Sequence, residues 1–312
     1  MATYLVTGGC GFIGSHLADG LVGAGHRVRV LDDLSTGKRE NLAAGAELLV
    51  GDVADATLVR QAMDGVDGCF HLAAIASVER GNLDWLGTHA ANLTGAIAVF
   101  DAARRQGATG IPVVYASSAA VFGDEPGMPL TEASPVRPLS AYGADKLGCE
   151  LHARVAGVVH GVPTAGMRFF NVYGPRQDPK SPYSGVISIF CDRLEARRPI
   201  TIFGDGLQTR DFVYVADVVA SLRAAMTSLA DGSGAGTAVY NVCTGRSTSV
   251  IDLAGTIADL CGILAEITFA PPRAGEIRVS LGAPDRLQQA LGIECRTGMV
   301  SGLRATLDSL KR

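Results

Sequence analysis

A tyrosine and a lysine, four residues apart, are the side chains of this sequence that point most directly to chemistry. In LSAYGADKLG (139–148), Pro138 ends an extended segment and Ser140 is a good N-cap for a helix. Tyr142 and Lys146 then lie on one face of that helix. Because an ammonium group beside a phenol stabilises the phenolate, the pair predicts a general base for neutral pH. A surface tyrosine and lysine on an ordinary helix is the alternative that this spacing alone leaves open.

Two adjacent serines form the second chemical feature. The stretch YASSAAVFG (115–123) places Ser117 and Ser118 at the end of a predicted buried strand, and Ser118 precedes Tyr142 by 24 residues. Ligands of parallel sheets bind in the crevice outside the carboxyl ends of the strands, so a hydroxyl at this place would face a ligand. The two serines are therefore candidates for presenting a hydroxyl to the reaction. The alternative is that they only close a buried strand.

A glycine-rich turn near the start of the chain predicts a dinucleotide site. In TGGCGFIGSHL (7–17), Gly8, Gly11 and Gly14 are spaced three residues apart. The first permits a tight turn, the second lets a pyrophosphate approach the backbone, and the third lets helix and strand pack closely. The helix N-terminus would then face the phosphates. A plain tight turn is disfavoured because the motif lies between a first strand and a helix.

An acidic residue after the second strand bears on the choice of dinucleotide. Asp32 follows Gly14 by 18 residues, near the spacing expected for an acid that binds ribose hydroxyls. A carboxylate there would repel a 2′-phosphate, which favours NAD over NADP. Lys38 and Arg39 lie too far along the chain for us to interpret them as phosphate ligands. Asp52, in GDV after the third strand, is predicted to bind the adenine amino group, or else to form a turn.

Short β-branched runs alternate with amphipathic segments, which predicts an α/β fold with a Rossmann-type, doubly wound parallel sheet. The predicted strands are TYLVTG (3–8), RVRVLD (27–32), AELLVGD (46–52), GCFHLA (68–73), IPVVYAS (111–117), PTAGMRFF (163–170) and AVYNVC (238–243). Residues 1–171 with about 205–245 are predicted to form the NAD-binding domain. About 172–204 and 246–312, where prolines become frequent, are predicted to form a smaller α/β cap that binds the substrate.

Composition limits the classes of function. The 312 residues carry a net charge of -4, which gives no footprint for nucleic acid or an anionic membrane. Seven cysteines at irregular spacing, without a Cys-x-x-Cys pair, predict reduced thiols and no metal site. We find no signal peptide and no apolar run of the roughly 18 residues that a membrane span needs. These features predict a cytoplasmic enzyme.

Together these motifs resemble the extended short-chain dehydrogenase/reductase family, and within it the nucleotide-sugar 4-epimerases of the UDP-galactose 4-epimerase type. The resemblance places the catalytic serine at Ser118, with at most a supporting hydrogen bond from Ser117. Ala119 and Ala120 stand where the sister 4,6-dehydratases carry an Asp-Glu pair and where decarboxylases carry a glutamate. Neither alanine can act as an acid or base. The resemblance therefore implies oxidation at sugar C4 and re-reduction, with NAD regenerated in each cycle.

The resemblance also implies contacts for the cofactor and for a UDP-sugar. HLAA (71–74) would close over the cofactor, and Asn92 fits the family's asparagine that ties the central strands together. The implied cofactor set is Gly8, Gly11, Phe12, Ile13, Gly14, Asp32, Asp52, Val53, Leu72, Ala73, Ala74, Asn92, Tyr142 and Lys146. The implied substrate set is Ser118, Ala119, Ala120, Tyr142, Asn171, Val186, Ile187, Thr201, Phe203, Arg210, Arg273, Glu276 and Ser280.

Within the substrate set, the resemblance assigns separate parts of the nucleotide sugar. Asn171 would bind the diphosphate, and Phe203 would lie against the uracil. Arg210, Arg273 and Glu276 would bind the diphosphate and ribose, as bidentate arginine donors suit a pyrophosphate. Phe203 as a core residue, and the two arginines as members of surface ion pairs, are the structural alternatives.

Two positions speak to the sugar. Epimerases for glucuronate-type sugars carry a threonine where this chain has Asn171 and an arginine where it has Asp178, whose charge would repel a sugar carboxylate. Ser280 falls at the family's gate position, where a small side chain leaves room for an N-acetyl group. UDP-Glc/UDP-Gal and UDP-GlcNAc/UDP-GalNAc therefore both stay open. The rival functions are an NAD(P)-dependent reductase, a UDP-glucuronate 4-epimerase, and a dinucleotide-sensing regulator, which should lack the Tyr–Lys pair.

Relatives dimerise through two helices of each subunit, so the resemblance implies a homodimer. The matching segments are roughly 84–107 and 141–160. Their apolar faces comprise Leu93, Ile97, Phe100, Leu147, Leu151 and Val155. These side chains would pack either against a second copy or against the parent domain.

Overall fold

The structure is a computed structural model that describes residues 1–106, 109–181, 185–234, 236–272 and 277–311. The strands, in chain order, are β1 (Thr3–Thr7), β2 (Arg27–Asp32), β3 (Glu47–Val50), β4 (Gly68–His71), β5 (Val113–Ser118), β6 (Thr164–Phe169), β7 (Asn171–Tyr173), β8 (Ile200–Phe203), β9 (Thr209–Arg210), β10 (Phe212–Tyr214), β11 (Thr237–Val242), β12 (Thr248–Ser249), β13 (Ile267–Ala270) and β14 (Val279–Ser280).

The helices alternate with these strands over most of the chain. They are α1 (Phe12–Gly23), α2 (Ala56–Met63), α3 (Val78–Leu83), α4 (Trp85–His89), α5 (Gly95–Ala102), α6 (Ala141–His160), α7 (Val186–Glu195), α8 (Val215–Ala230), α9 (Val250–Cys261), α10 (Asp285–Leu291) and α11 (Met299–Leu310). Short 3₁₀ segments cover Arg39–Asn41 and Ala119–Val121, and a π-helical turn covers Ala90–Thr94.

Seven strands form one sheet in the order β11-β6-β5-β4-β1-β2-β3, and every neighbouring pair is parallel. All seven predicted strands are in this sheet, which confirms the Rossmann-type fold. The strand order reverses between β1 and β4, the place where ligands bind in such sheets. β5 runs one residue further than the sequence predicted and includes Ser118.

Each face of the sheet is covered by helices. One core packs α1, α8 and α10 against the sheet through residues such as Leu17, Leu222 and Leu287. The other packs α2, α5 and α6 through residues such as Val59, Phe100 and Ala153. Because both faces are buried, the strands read as nearly continuous apolar runs.

The cap has its own core, built from the inner faces of α7, α9 and α11 around β8. Two small sheets, β10 with β7 and β12-β9-β14, join it to the large domain, and a third, β13 with β8, lies within the cap. The chain leaves the large sheet after β6, returns once as β11 and leaves again. The boundaries near 171, 205 and 245 stay a prediction.

All seven cysteines are free, and six of them are buried. Burial raises the pKa of every one of these thiols, for example to about 11 for Cys10 and about 12 for Cys191 and Cys295. Among the helices of the described residues, none has the length and apolar character to cross a bilayer.

Candidate active site

A cleft of about 440 Å³ opens at the carboxyl ends of the large sheet's strands. One side is lined by the glycine turn after β1, Asp32 and Asp52 after β2 and β3, and the loop after β4. The other side is lined by Ser118, by Tyr142 and Lys146 of α6, and by Asn171. The two separate motifs of the sequence therefore meet in one space.

The glycine turn is shaped to receive a phosphate group. Gly8 has φ +71°, and a Cβ added there would lie 2.8 Å from the amide nitrogen of Ala73. A Cβ on Gly14 would collide with the carbonyl oxygen of Gly8. α1 begins at Phe12 with Gly11 as its N-cap and no side-chain cap, so the helix N-terminus presents its first amides. These features fit a pyrophosphate on the helix N-terminus.

Asp32 is held rigidly at the opposite end of this turn. The side chain is 6% exposed, and its two oxygens accept the amide N–H groups of Cys10 and Leu34, each at 2.9 Å. Burial raises the pKa of this carboxyl, and the two hydrogen bonds oppose the rise. Asp52 accepts the amide N–H of Ala54 at 2.8 Å, so it forms a turn and also lines the cleft.

The tyrosine and the lysine are placed by the start of α6. Ser140 caps this helix, because its hydroxyl accepts the amide N–H of Gly143 at 3.1 Å. Lys146 is 2% exposed, and its ammonium lies 5.9 Å from the centroid of the Tyr142 ring. Ser118 accepts the amide N–H of Ala120 at 3.1 Å, which leaves its hydroxyl hydrogen free to be donated.

Thr7 and His71, the first residues of TGGCGFIGSHL (7–17) and HLAA (71–74), also shape this site, although neither is in the predicted sets of site residues. Thr7 and His71 are 64 residues apart, and the Thr7 hydroxyl lies 2.9 Å from Nδ1 of His71. The same hydroxyl accepts the amides of Leu72 and Ala73, so its hydrogen points to the imidazole. Burial, with a smaller effect of Lys146, lowers the pKa of His71 to about 3, so the ring is neutral.

Asn92 acts through the loop after β4. Its side chain is fully buried, accepts the amide N–H of Ile75 at 2.7 Å and donates to the carbonyl of Ile75 at 3.2 Å. Ile75 lines the cleft. Asn92 therefore fixes a wall of the cleft through Ile75. Its place in the predicted set implies a direct contact with the cofactor, and this contact stays a prediction.

A segment between β7 and α7, residues 174–181, is fastened across the cleft to the large domain; we call it the strap. His16 Nε2 lies 2.9 Å from the carbonyl oxygen of Pro175. Arg176 pairs with Asp19 at 2.7 Å, and Lys38 pairs with Asp178 at 3.1 Å. Lys38 offsets the charge of Asp178, so the repulsion of a sugar carboxylate expected from Asp178 is weakened.

The predicted substrate residues of the cap differ in how they are placed. Val186 begins α7 directly after Gly185, which lines the cleft. The side chain of Ile187 is 1% exposed and belongs to the cap core, so only its backbone is available to a ligand. The hydroxyl of Thr201 is exposed and lies 3.0 Å from that of Thr268.

Three other predicted substrate residues lie on short strands. Phe203 ends β8 and is partly exposed. Arg210 of β9 and Ser280 of β14 are register partners, so they are adjacent. Arg273 and Glu276 lie outside the described residues. The substrate contacts of the cap stay predictions.

Comparison with known proteins identifies the fold family. A model of the NAD dependent epimerase/dehydratase family matches residues 4–243. The chain belongs to this family. It is 38% identical over 312 residues to the UDP-glucose 4-epimerase of Mycolicibacterium smegmatis, with 97% of each chain covered.

Two solved structures of this family superpose along nearly the whole chain. A UDP-glucose 4-epimerase of Thermotoga maritima with UDP-glucose gives a TM-score of 0.93 at 32% identity, covering 99% of this chain and 98% of the other. A UDP-N-acetylglucosamine 4-epimerase of Methanobrevibacter ruminantium with UDP-N-acetylmuramic acid gives 0.92 at 31% identity, with 99% and 98% covered.

The turn after Ser118 carries no side chain that could act as an acid or base. Ala119 and Ala120 form a 3₁₀ turn that packs against the start of α6, since a Cβ on Gly143 would lie 2.6 Å from the Ala120 carbonyl oxygen. NAD is the cofactor of the family, and the glycine turn and Asp32 fit it.

Replacing Asp32 by asparagine should weaken NAD binding by about 10- to 100-fold, because a hydrogen bond to a charged acceptor contributes roughly 1.5–3 kcal/mol. Preference for NAD over NADP should fall in parallel, since the repulsion of a 2′-phosphate is lost. Titration of the apoprotein with each dinucleotide would measure both. Asp64→Asn, exposed and absent from the lining of the cleft, is the matched control and should leave both affinities near wild type. Equal losses in the two variants would contradict the role of Asp32.

Proposed function

We propose that this protein epimerises a UDP-hexose at C4 through a transient 4-keto sugar. The observation that carries the proposal is the meeting of Ser118, Tyr142 and Lys146 with the glycine turn in one cleft. The two alanines after Ser118 support it further, because elimination or decarboxylation would need an acid or base at that turn. A reductase remains the rival function, and net consumption of NAD(P)H would distinguish it.

The side chains have separate roles in this reaction. The glycine turn and Asp32 would hold NAD, and bound NAD would supply the hydride acceptor and donor for sugar C4. The phenolate of Tyr142 takes the proton of the 4-hydroxyl group, and Ser118 donates a hydrogen bond to that oxygen. Lys146 is buried beside the phenol, where its charge would stabilise negative charge that develops on the reacting oxygens in the transition state. The keto sugar rotates to present its other face while its nucleotide stays bound to the cap. Hydride return to this face reduces the keto group, and Tyr142 gives the proton back to the sugar oxygen.

Both plain and N-acetylated hexoses are proposed as substrates. Relatives of the two kinds are about equally similar in structure to this chain. Ser280 is a small side chain next to Arg210, which is compatible with space for an N-acetyl group. A missing clash permits the larger sugar without requiring it.

The experiment that tests this function incubates the purified protein with equal UDP-galactose and UDP-GalNAc, without added NAD, and follows the anomeric protons by NMR. Conversion to the gluco epimers is expected, and their ratio reports the sugar preference. No conversion of either sugar, even after NAD is supplied, would contradict the proposal. UDP-glucuronate belongs in a third sample, because the Lys38–Asp178 pair weakens the charge that would reject it.

We also propose a homodimer formed through α4, α5 and α6. Ile97, Leu151 and Val155 are exposed on these helices, and Leu151 is 60% exposed. Trp85 of α4 and Val158 of α6 are further exposed apolar side chains of these helices, at 67% and 74% exposed. Three of the residues expected at this interface are used otherwise: Leu93 and Phe100 pack in the core of the large domain, and Leu147 packs near Phe122.

A double change of Leu151→Lys and Val155→Lys is expected to convert the dimer to a monomer, because it places charges on the apolar helix face. Light scattering after gel filtration would measure the mass of the particle. The exposed apolar residue Phe269 of the cap, changed to lysine, is the control and should leave the mass unchanged. A monomeric wild-type protein would contradict the proposal.

The free thiols are compatible with the predicted cytoplasmic location.

A further inference from the structure

A buried ion pair lies beneath the reactive end of β5. The carboxylate of Glu150 on α6 accepts two hydrogen bonds from Arg168 on β6, Nε to Oε1 at 2.8 Å and Nη2 to Oε2 at 2.7 Å. Both side chains are nearly buried, at 7% and 6% exposed. A bidentate pair of this kind fixes the position of both groups. Neither residue lines the cleft among the described residues, so neither is expected to touch a substrate.

The same carboxylate holds the residue before the candidate catalytic serine. Ser117 is 1% exposed, and its hydroxyl donates to Oε1 of Glu150 at 2.6 Å. Side chains alternate along a strand, so Ser117 points to the ion pair while Ser118 points away from it. Ser118 is the last residue of β5 and is the register partner of Phe169 on β6. The bond from Ser117 therefore adds a side-chain restraint at the point where the sheet ends and Ser118 projects.

Arg168 restrains the turn on the other side of Ser118. Its guanidinium carbon lies 4.8 Å from the ring centroid of Phe122, which follows the 3₁₀ turn Ala119–Val121. Another of its nitrogens donates to the carbonyl of Glu132 at 3.3 Å. The pair thus contacts the chain on both sides of the segment that carries Ser118.

Glu150 also shares a helix face with the tyrosine and the lysine. It follows Lys146 by four residues and Tyr142 by eight, so the three side chains point toward β5 from successive turns of α6. One carboxylate therefore joins the strand that carries Ser118 to the helix that carries Tyr142 and Lys146. The geometry of the three reactive groups depends on this joint.

We propose that Glu150, acting through Ser117, is a positioning residue that sets Ser118 relative to Tyr142 and Lys146. The inference rests on the proposed 4-epimerase activity and adds to it Glu150, which does not line the cleft among the described residues. A salt bridge with a structural role alone would contribute to stability without affecting turnover. The hydrogen bond of Ser117 allows the two roles to be separated, because it can be removed while the ion pair remains.

The test compares Ser117→Ala with Ser221→Ala. Ser221 is also a buried serine, but it donates to the backbone carbonyl of Asp217 within α8, away from the cleft. Ser117→Ala is expected to lower kcat by about 10-fold or more with an unchanged KM, since small misplacements of reacting groups reduce turnover steeply. Both variants lose one buried hydrogen bond and are expected to lower Tm by similar amounts. Ser221→Ala is expected to leave kcat near wild type.

A double-mutant cycle with Ser118→Ala completes the test. If Ser117 acts through Ser118, the loss caused by Ser117→Ala should largely disappear in the Ser118→Ala background. A kcat of Ser117→Ala within twofold of wild type, or a full additive loss in the double variant, would overturn the positioning role. Wild-type protein that is inactive on every UDP-hexose would instead overturn the proposed function.

Glu150→Gln provides a second variant. It keeps the shape of the side chain and can still accept the Ser117 hydroxyl, but it leaves Arg168 without an opposite charge. We therefore expect a lower Tm together with a smaller loss of kcat than in Ser117→Ala. A folded Glu150→Gln protein with a larger loss of kcat would also overturn the route through Ser117.

Discussion

Tyr142→Phe is expected to lower kcat of the proposed epimerisation by about 10²–10⁴-fold, the range that general acid–base groups contribute. The change removes only the hydroxyl group that exchanges a proton with the sugar. Lys146 stays buried beside the ring, and the glycine turn is untouched, so bound NAD and Tm should remain near wild type. Steady-state assays with UDP-galactose, together with the absorbance of released NAD, would measure these quantities.

The matched control for this variant is Tyr240→Phe. Tyr240 is buried in β11, packs in the core with α10 and does not line the cleft among the described residues. Its kcat should stay within about twofold of wild type, since only interactions made with the transition state change the rate of the chemical step. A Tyr142→Phe protein that turns over at the rate of Tyr240→Phe would remove Tyr142 from the mechanism.

Gly14→Ala is expected to abolish NAD binding and to destabilise the fold. The new methyl group would collide with the Gly8 carbonyl oxygen and would lie 2.9 Å from Cα of Gly9. These neighbours are backbone atoms of the turn that receives the phosphates, so the turn itself would have to move. Overpacking of this kind typically costs about 1–3 kcal/mol of unfolding free energy. Thermal unfolding and NAD titration would record the two effects.

Gly20→Ala is the control on the same helix. A Cβ at Gly20 meets Val219 at 3.6 Å, an ordinary contact distance. Replacing glycine by alanine inside a helix typically stabilises it by about 0.5–1 kcal/mol. NAD affinity should be unchanged and Tm equal or higher. If Gly14→Ala behaved like Gly20→Ala, the close approach of α1 to β1 would not be required for cofactor binding.

Local features of the sequence were sufficient to predict the sheet and the start of the key helix. RVRVLD has the β-branched residues and flanking turn signals of a strand, and the structure places β2 over those six residues. Ser140 caps α6 because a short polar residue before an apolar periodic run accepts a free amide of the helix. The return of the chain near residue 240 also followed from a short apolar run.

Contacts between distant segments could not be predicted in the same way. The strap pairs Lys38 with Asp178, and neither residue has a local pattern that names its partner. Glu150, Arg168 and Ser117 come from three elements that only the folded sheet brings together. The apolar residues of α5 show a related limit. The sequence places both Phe100 and Ile97 on an apolar helix face, but only the packing shows that Phe100 is buried and Ile97 is exposed.

The seven buried or half-buried thiols can report how often each part of the protein opens. A thiol that is protonated and enclosed reacts with an alkylating reagent only when its surroundings open. Cys69 and Cys149 lie in the core of the large domain, whereas Cys191 lies in the core of the cap. The alkylation rate of each cysteine, measured on its peptide, therefore gives the free energy of opening for the two cores separately. The native cysteines are sufficient for this measurement, without engineered ones.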